Sequence, residues 1–174
     1  MKTKIKTIYS FDFDDTLFFS PRPEEGKDIF KSKTGLDWPY HGWWSKAETL
    51  DSDIFYVPIN PWVHSKYMEA LTDEDSMRIL ATGRLEKVPK MRQNIEKLIK
   101  EYELDFHSIY LNTMGDTFMF KTKLFSSLIK ETKCEKFVMY DDRHEHLVKF
   151  EEWATIQPCD IDIIDVKNKT LKSF

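Results

Sequence analysis

Apolar residues along the chain fall into short runs that alternate with segments of helical period. Five of these runs have the length of strands and are bounded by polar or turn-forming residues. They are Ile5–Asp12, Met77–Thr82, Phe106–Leu111, Phe137–Tyr140 and Ile161–Val166. We predict one β-strand from each run.

The segments between these runs carry the spacing of amphipathic helices. After the second run, apolar side chains recur at intervals of 3, 4, 3 and 4 residues, at Val88, Met91, Ile95, Leu98 and Tyr102. This spacing forms one helical stripe, and Pro89 is expected in the first turn. Two further helices are predicted, over Thr122–Glu131 and directly after Arg143. The alternation predicts an α/β fold with a doubly wound, mainly parallel sheet, which binds ligands at the carboxyl ends of its strands.

The stretch between the first two strands breaks this alternation. It has no clean period, yet it holds four of the five tryptophans. Structureless loops of this length are uncommon in compact domains. We therefore predict a cap-type insertion over residues 20–76 with a small aromatic core of its own, and a core domain over residues 1–19 and 77–174. We expect most of the aromatic side chains to form that core, although exposed ones can stack nucleobases.

Length and charge restrict the class of protein. The 174 residues suit one domain, or a core domain with a modest insertion. The net charge of −4 provides no overall attraction to nucleic acid, but a local basic groove stays possible. Cys134 and Cys159 have no paired spacing, which favours reduced thiols and a cytoplasmic location. The N-terminus does not resemble a signal peptide, no apolar run approaches the ~20 residues of a membrane span, and no obligate protein partner is indicated.

Three carboxylates follow the first strand within four residues, at Asp12, Asp14 and Asp15. An ionised carboxylate in such a place needs water, a partner or a metal. Because residues two apart on a strand face the same way, Asp12 and Asp14 are expected to enter one pocket. Two such carboxylates can divide the roles of nucleophile and acid–base catalyst, and they also suit Mg²⁺. Asp15 is expected in a turn, where Asp tolerates left-handed geometry.

The segment DFDDT, followed by LF, is similar to the first motif of the haloacid-dehalogenase superfamily of phosphohydrolases. RILATGR resembles the second motif, DTFMFKTKLFSSLIKE the third and FVMYDDR the fourth, in the family's order and over nearly the whole chain. The succession of GWW, NPW, LATGR, TxxFK and YDDRxxH resembles the Swiss Army Knife RNA repair-like branch. The YDDR stretch also resembles the phosphatase half of phage polynucleotide kinase–phosphatases.

The resemblance implies a role for each acid. Asp12 is expected to attack phosphorus and form an aspartyl-phosphate, and Asp14 to act as general acid and then as general base. Mg²⁺ is expected to bind Asp12, the backbone carbonyl of Asp14, and the Asp141/Asp142 pair.

The resemblance also implies groups that hold the phosphate. Thr82 and nearby backbone amides, including that of Gly83, are expected to bind its oxygens, and a lysine of the third motif is expected to balance its charge. Lys121 and Lys123 compete for this position. At about 100° per residue, Lys121 shares a direction with the apolar residues of its helix, whereas Lys123 points to the solvent side. We predict Lys121.

Cationic and histidine side chains beside the motifs are further candidates for substrate binding. Arg84 and Arg143 lie next to the second and fourth motifs, where a guanidinium can grip a second phosphate or form a surface ion pair. His146 matches the histidine of the Swiss Army Knife pattern and is a candidate phosphate contact. His144 is two residues away and therefore about 200° around the helix, so we expect it to face solvent rather than join a zinc site.

Three functions remain open at this stage. The first is a Mg²⁺-dependent phosphomonoesterase that acts on a nucleic-acid end carrying a 3′-phosphate, or on a nucleotide. The second is a phosphatase for a small metabolite, and the mildly acidic charge favours small substrates. The third is a non-catalytic nucleotide-binding module, which requires a damaged motif. Dehalogenase chemistry is disfavoured because Asp14, the acid that phosphate esters need, is present.

Overall fold

The computed structural model describes residues 4–174. Its six-stranded sheet has the order β3-β2-β1-β4-β5-β6. The strands are β1 (Thr7–Phe11), β2 (Ser76–Leu85), β3 (Ser108–Asn112), β4 (Lys136–Asp141), β5 (Asp160–Asp165) and β6 (Thr170–Ser173). Neighbouring strands are parallel except β5 and β6, which are antiparallel. The predicted doubly wound, mainly parallel sheet is confirmed. The strand β6 was not predicted, because all of its residues are exposed and it contains no apolar run.

Within residues 4–174 there are five α-helices: α1 (Pro23–Thr34), α2 (Pro61–Leu71), α3 (Met91–Glu101), α4 (Thr117–Thr132) and α5 (His144–Ala154). The helix α4 begins five residues before the predicted Thr122, because the Asp116 side chain caps it by accepting a hydrogen bond from the Met119 N–H at 2.8 Å. Pro89 lies outside α3, and its predicted place in the first turn was wrong. Lys90 has a left-handed φ of 64°, which starts the helix after it. The predicted helix after Arg143 is confirmed.

One face of the sheet packs against α2 and α3, and the other against α4 and α5. The first core includes Phe11 and Leu80 from the sheet, with Tyr67 and Ile95 from these helices. The second core includes Ile8, Phe137, Phe125 and Phe150. Burial on both faces explains the nearly continuous apolar runs of the central strands. It also leaves the carboxyl edge of β1, β2 and β4 as the place where polar side chains converge.

The segment 20–76 contains α1, α2 and a short 3₁₀ helix over Ala47–Leu50. Its buried aromatic residues, including Trp43 and Phe55, belong to the same hydrophobic cluster as the sheet residue Phe11. The predicted separate aromatic core is therefore wrong. The physical reason is that α2 is the crossover helix from β1 to β2, and its Tyr67 packs directly on Phe11 with ring centroids 5.9 Å apart. The boundaries of the insertion, residues 20–76, remain our proposal.

None of the helices within residues 4–174 has the length and apolar character to cross a membrane.

Candidate active site

Three aspartates meet at the carboxyl edge of the sheet. Asp12 directly follows β1, Asp141 ends β4, and Asp142 comes next. The parallel register pairs Phe11 with Tyr140, and the Asp12 N–H donates to the Tyr140 carbonyl at 3.0 Å, so Asp12 lies beside Asp141. Carboxylate oxygens of the three aspartates all lie within 4.8 Å of one another. The structure thus brings together the acids of the first and fourth motifs.

Lys121 is buried between two of these aspartates. Its Nζ lies 2.9 Å from Asp12 Oδ1 and 2.6 Å from Asp141 Oδ2, and only 3% of the side chain is exposed. Burial opposes the charge, but the carboxylates of Asp12 and Asp141 outweigh it and raise the pKa of Lys121. Lys123 is exposed. The helical phase therefore identified the lysine that faces the aspartates.

The cluster holds more negative charge than Lys121 can balance. Burial, followed by the neighbouring Asp141 and Asp142, raises the pKa of Asp12 to about 7, although Lys121 works against this shift. Burial and the charge of Asp141 likewise raise the pKa of Asp142 to about 6. Three clustered carboxylates, of which Asp12 and Asp142 have raised pKa values, suit a small divalent cation, because Mg²⁺ prefers oxygen ligands and its charge would favour the ionised forms.

Asp14 lies apart from this cluster and binds an arginine. Arg84 donates from Nε to Asp14 Oδ2 at 2.8 Å and from Nη2 to Oδ1 at 2.7 Å. Its Nη1 donates to the Trp44 carbonyl and to Thr49 Oγ1, both at 2.8 Å. Burial would raise the pKa of Asp14, but Arg84 outweighs this effect and lowers it.

The Arg84 side chain is only 1% exposed. Two alternatives were open for Arg84, a grip on a second phosphate or a surface ion pair. The structure shows an ion pair, with Asp14, but a buried one. All three of its nitrogen atoms already donate to protein groups, and the arginine connects Asp14 to the segment 20–76.

The strand β2 places Thr82 beside the carboxyl end of β1. Leu80 pairs with Phe11, so Thr82 lies level with the residues just beyond β1. Thr82 is fully buried, and its Oγ1 accepts a hydrogen bond from the Arg84 N–H at 3.1 Å. A Cβ on Gly83 would approach Thr117 Oγ1 to 2.7 Å, so a side chain at this position forces a shift. The register with β3 changes after Thr82, which marks a local bulge at this edge.

The residues after β4 place further polar groups beside the aspartates. The Arg143 N–H donates to Asp141 Oδ1 at 3.0 Å, and the Arg143 side chain is exposed. His146 is half-buried, and its Nδ1 is buried with no hydrogen-bond partner within residues 4–174. Burial, helped by the charge of Arg143, lowers the pKa of His146. His144 is exposed, as expected, with its Nδ1 3.8 Å from Asp165 Oδ2.

Sequence reasoning missed three contacts. The Thr16 hydroxyl, which is fully buried, lies 3.4 Å from Asp142 Oδ1. Thr16 ends the quoted DFDDT, so the motif itself carried that signal. Trp44 and Thr49 hold Arg84 through a carbonyl and a hydroxyl, for which the sequence carries no signal. Asp15 has the left-handed φ of 53° that was expected of a turn residue.

An apolar cleft of about 570 Å³ lies elsewhere, between β3 and α4. Its lining includes Tyr110 and Leu124 but none of the clustered aspartates. Chemistry on a bound group needs reactive side chains, so we place the candidate site at the aspartates instead.

Comparison with known proteins supplies the family. The sequence model of HAD domain family 1 in Swiss Army Knife RNA repair proteins matches residues 29–172. The chain belongs to this family. Its membership confirms the resemblance to the haloacid-dehalogenase superfamily and to the Swiss Army Knife branch. No curated protein and no solved structure matches the chain.

The range matched by the family model covers only part of the candidate site of this HAD domain. It includes Thr82, Lys121 and the Asp141/Asp142 pair, but it begins after Asp12 and Asp14. The first strand is joined to the rest of the site by geometry. The parallel pairing of β1 with β4 and the contact of Asp12 with Lys121 bring the unmatched acids to the matched ones.

Proposed function

We propose that this HAD domain is a Mg²⁺-dependent phosphomonoesterase that works through an aspartyl-phosphate on Asp12. The observation that carries the proposal is the buried Asp12 carboxylate, which lies at the sheet edge between Lys121 and two further aspartates. The positive charge of Lys121 favours the approach of a phosphate dianion to this carboxylate.

The chemistry divides into two steps. An Asp12 oxygen attacks phosphorus, the bond from phosphorus to the ester oxygen breaks, and Asp14 delivers a proton to the leaving oxygen. Asp14 then accepts a proton from water as that water attacks phosphorus and releases inorganic phosphate and the Asp12 carboxylate. Because Arg84 lowers the pKa of Asp14, it favours the ionised form that the second step needs. Protonation for the first step requires the pair with Arg84 to loosen.

The clustered carboxylates fit Mg²⁺ by donor type and by spacing. Asp12, Asp141 and Asp142 would hold the ion, together with the backbone carbonyl of Asp14 that the family resemblance implies. When bound, the ion supplies positive charge that offsets the repulsion between a phosphate and the aspartates.

We propose a nucleic-acid end with a 3′-phosphate, or a nucleotide, as the substrate. The support is the family description, which names RNA repair proteins, and an exposed tryptophan beside the site. The Trp44 ring is 38% exposed and lies 5.4 Å from the Arg84 guanidinium that binds Asp14. Trp43 is buried in the core, so the four tryptophans of segment 20–76 do not all share one role.

An assay of phosphate release tests both the proposed reaction and the proposed substrate. The wild type would be assayed with 3′- and 5′-phosphorylated oligonucleotides, mononucleotides and sugar phosphates, in Mg²⁺ and in EDTA. We expect Mg²⁺-dependent release, fastest from the 3′-phosphates, and none from Asp12→Asn, which keeps the shape of the side chain but not its charge.

Hydrolysis by Asp12→Asn at the wild-type rate would refute Asp12 as the nucleophile. A higher kcat/KM for sugar phosphates would favour the small-metabolite alternative and leave the phosphatase chemistry in place. No release from any substrate, with intact nucleotide binding, would favour a non-catalytic module.

A further inference from the structure

A groove that is basic and aromatic opens directly onto the aspartate cluster. It has a volume of about 490 Å³, and its walls include Phe19, Arg22, Trp62, Asp142, Lys167 and Lys169. Asp142 belongs to both the groove and the cluster, so a chain that leaves the site can enter the groove without a break. We call it the basic groove.

We propose that the basic groove binds the single-stranded polynucleotide that precedes the phosphorylated end. This inference rests on the proposed function and adds to it that the substrate is a polymer rather than a mononucleotide.

The three cations of the groove are exposed to solvent. Lys167 and Lys169 lie in the exposed turn between β5 and β6, and within residues 4–174 neither forms an ion pair with a carboxylate. The Arg22 side chain is 70% exposed and makes one contact of 3.2 Å with Asp15. Of the two aspartates in the lining, Asp15 is thus paired with Arg22 and Asp142 contributes to the cluster. The three cations outnumber the two aspartates of the lining, on a chain whose net charge is −4. This excess of positive charge complements the phosphodiesters of a polynucleotide.

Two aromatic side chains, Phe19 and Trp62, belong to the same lining as these cations. Phe19 is 46% exposed, and its N–H is fixed by the Pro58 carbonyl at 2.9 Å. Trp62 is half-buried, with the Lys169 ammonium 5.7 Å from its ring centre. Aromatic faces beside basic side chains are the usual platform for unpaired bases. The carboxylates of an acidic peptide would satisfy the cations but would not stack on the Phe19 ring, so the combination of cations and aromatic faces favours a polynucleotide.

The groove extends further than one nucleotide needs. Past Phe19 and Arg22 it continues into a second hollow of about 540 Å³, whose walls include Lys33 and Tyr56 together with one further acid, Glu25. Tyr56 is 80% exposed, so the second hollow also combines an aromatic side chain with a cation. Two such hollows in sequence indicate binding along several nucleotides.

Substrate length provides the first test. The wild type would be assayed with 3′-phosphorylated oligothymidylates from one to about eight nucleotides, within the range of a single-strand site. We expect kcat/KM to rise with length and then level off, mainly through a lower KM, because the added contacts are distant from the reacting phosphate. If the mononucleotide is hydrolysed and kcat/KM does not rise with oligonucleotide length, the proposed role of the groove is overturned and the phosphatase assignment stays intact.

Charge is tested with a matched pair of double variants. Lys167→Gln/Lys169→Gln removes two cations of the groove. Lys100→Gln/Lys130→Gln removes two exposed cations from the last turns of α3 and α4, at the opposite edge of the sheet. We expect only the first to raise KM for the octanucleotide more than for the mononucleotide. It should also reduce the salt slope of log(kcat/KM) by about 0.7 for each lost phosphate contact. Equal changes in KM and in the salt slope for both double variants would contradict polynucleotide binding by the groove.

Stacking is tested with Phe19→Leu against Phe174→Leu. Phe174 is 40% exposed and hydrogen-bonds to Ile161 at the amino edge of β5, so it serves as the control. We expect Phe19→Leu to weaken oligonucleotide binding by roughly 5- to 150-fold, the loss of one stacked base, and Phe174→Leu to leave it unchanged. No difference between the two would overturn the stacking role.

Direct binding separates the groove from catalysis. Anisotropy of a fluorescent unphosphorylated oligothymidylate, measured on Asp12→Asn and on the Gln double variants in that background, needs no turnover. We expect binding to weaken in the groove variant alone. A polyglutamate of equal charge would serve as competitor, and displacement of the oligonucleotide by polyglutamate at equal concentration would overturn a polynucleotide as the occupant.

Discussion

At the scale of single residues, the charge around Asp12 decides what the site can do. Lys121 contacts Asp12 and Asp141 together, so it is shared by two buried carboxylates. Asp142 adds a third acid within 4.8 Å. The remaining negative charge favours a bound cation, and it couples the protonation of the site to both metal binding and stability.

Lys121→Ala is expected to harm catalysis far more than Lys123→Ala. The first removes the only ammonium that contacts Asp12 within residues 4–174, and the second removes an exposed side chain of the same helix. Loss of the buried partner should also lower the free energy of unfolding by about 3–5 kcal/mol. Kinetics and urea unfolding of both variants test this, with Mg²⁺ present throughout. Similar kinetic losses in the two variants would contradict the assigned orientation of α4.

The effect of Mg²⁺ on thermal stability is expected to depend on pH. The pKa of Asp12 is raised from 3.8 to about 7, so the folded protein binds this proton more tightly than the unfolded chain does. The stability due to Asp12 is therefore complete below about pH 4 and is lost as the pH rises to about 7. Mg²⁺ must displace that proton, so it should raise Tm more at about pH 8 than at about pH 5.5.

Melting curves with Mg²⁺ and with EDTA at both pH values measure this effect. Asp142→Asn should reduce the gain in Tm at the higher pH, whereas Glu131→Gln, on the exposed side of α4, should not. A gain in Tm that is independent of pH would contradict Mg²⁺ binding at these aspartates.

At the scale of elements, Arg84 connects three parts of the fold. It lies near the end of β2, binds the acid that follows β1, and donates to the segment that leads into the 3₁₀ helix. Since only one geometry satisfies all of these acceptors, Arg84 positions Asp14 rather than merely balancing its charge.

Arg84→Lys is expected to lower kcat by about 10²-fold with little change in KM. The ammonium keeps the charge but cannot bind both Asp14 oxygens while also reaching Trp44, so Asp14 shifts from its position. Steady-state kinetics with a good substrate measure this split. As a matched control, Arg92→Lys alters an arginine that binds Glu86 in the same bidentate way but away from the aspartates. A rise in KM alone after Arg84→Lys would instead indicate substrate binding by Arg84.

The same elements show what the sequence could predict of the site. The strand ends and the helical phase placed Asp12, Asp141 and Lys121 correctly, because period and strand polarity fix these directions locally. The contacts of Arg84 with the Trp44 carbonyl and the Thr49 hydroxyl were not predictable. These contacts depend on how the chain folds back between Trp44 and Thr49, and no local sequence pattern encodes them.

At the scale of the whole molecule, the alternation of strands and helices predicted the layers but not how the segment 20–76 is buried. Aromatic clustering in a sequence indicates a core without indicating which element covers it. Here the cover is the sheet itself, since Tyr67 of α2 packs on Phe11 of β1. The exposed β6 was missed for the opposite reason, because its pairing with β5 does not depend on apolar residues.

Unfolding is expected to be a single transition. Tryptophan fluorescence reports mainly on segment 20–76, which carries four of the five tryptophans, whereas far-UV circular dichroism reports on the helices and the sheet. The two urea curves should coincide, because a shared core cannot be lost on one side alone. Trp153→Phe would remove the fluorescence from α5 and sharpen the comparison. A fluorescence transition at lower urea than that of circular dichroism would contradict a shared core.

The shared core also restricts how this domain can be engineered. Residues that close one face of the sheet lie in the same segment that holds Arg84. Removal of residues 20–76 would therefore expose Phe11 and Leu80 to water and release Asp14 at the same time. The same segment grafted onto another scaffold would lack the sheet surface on which its aromatic residues pack. Substrate preference in such a domain is open to change by point substitutions along its surface, but not by exchange of the segment as a module.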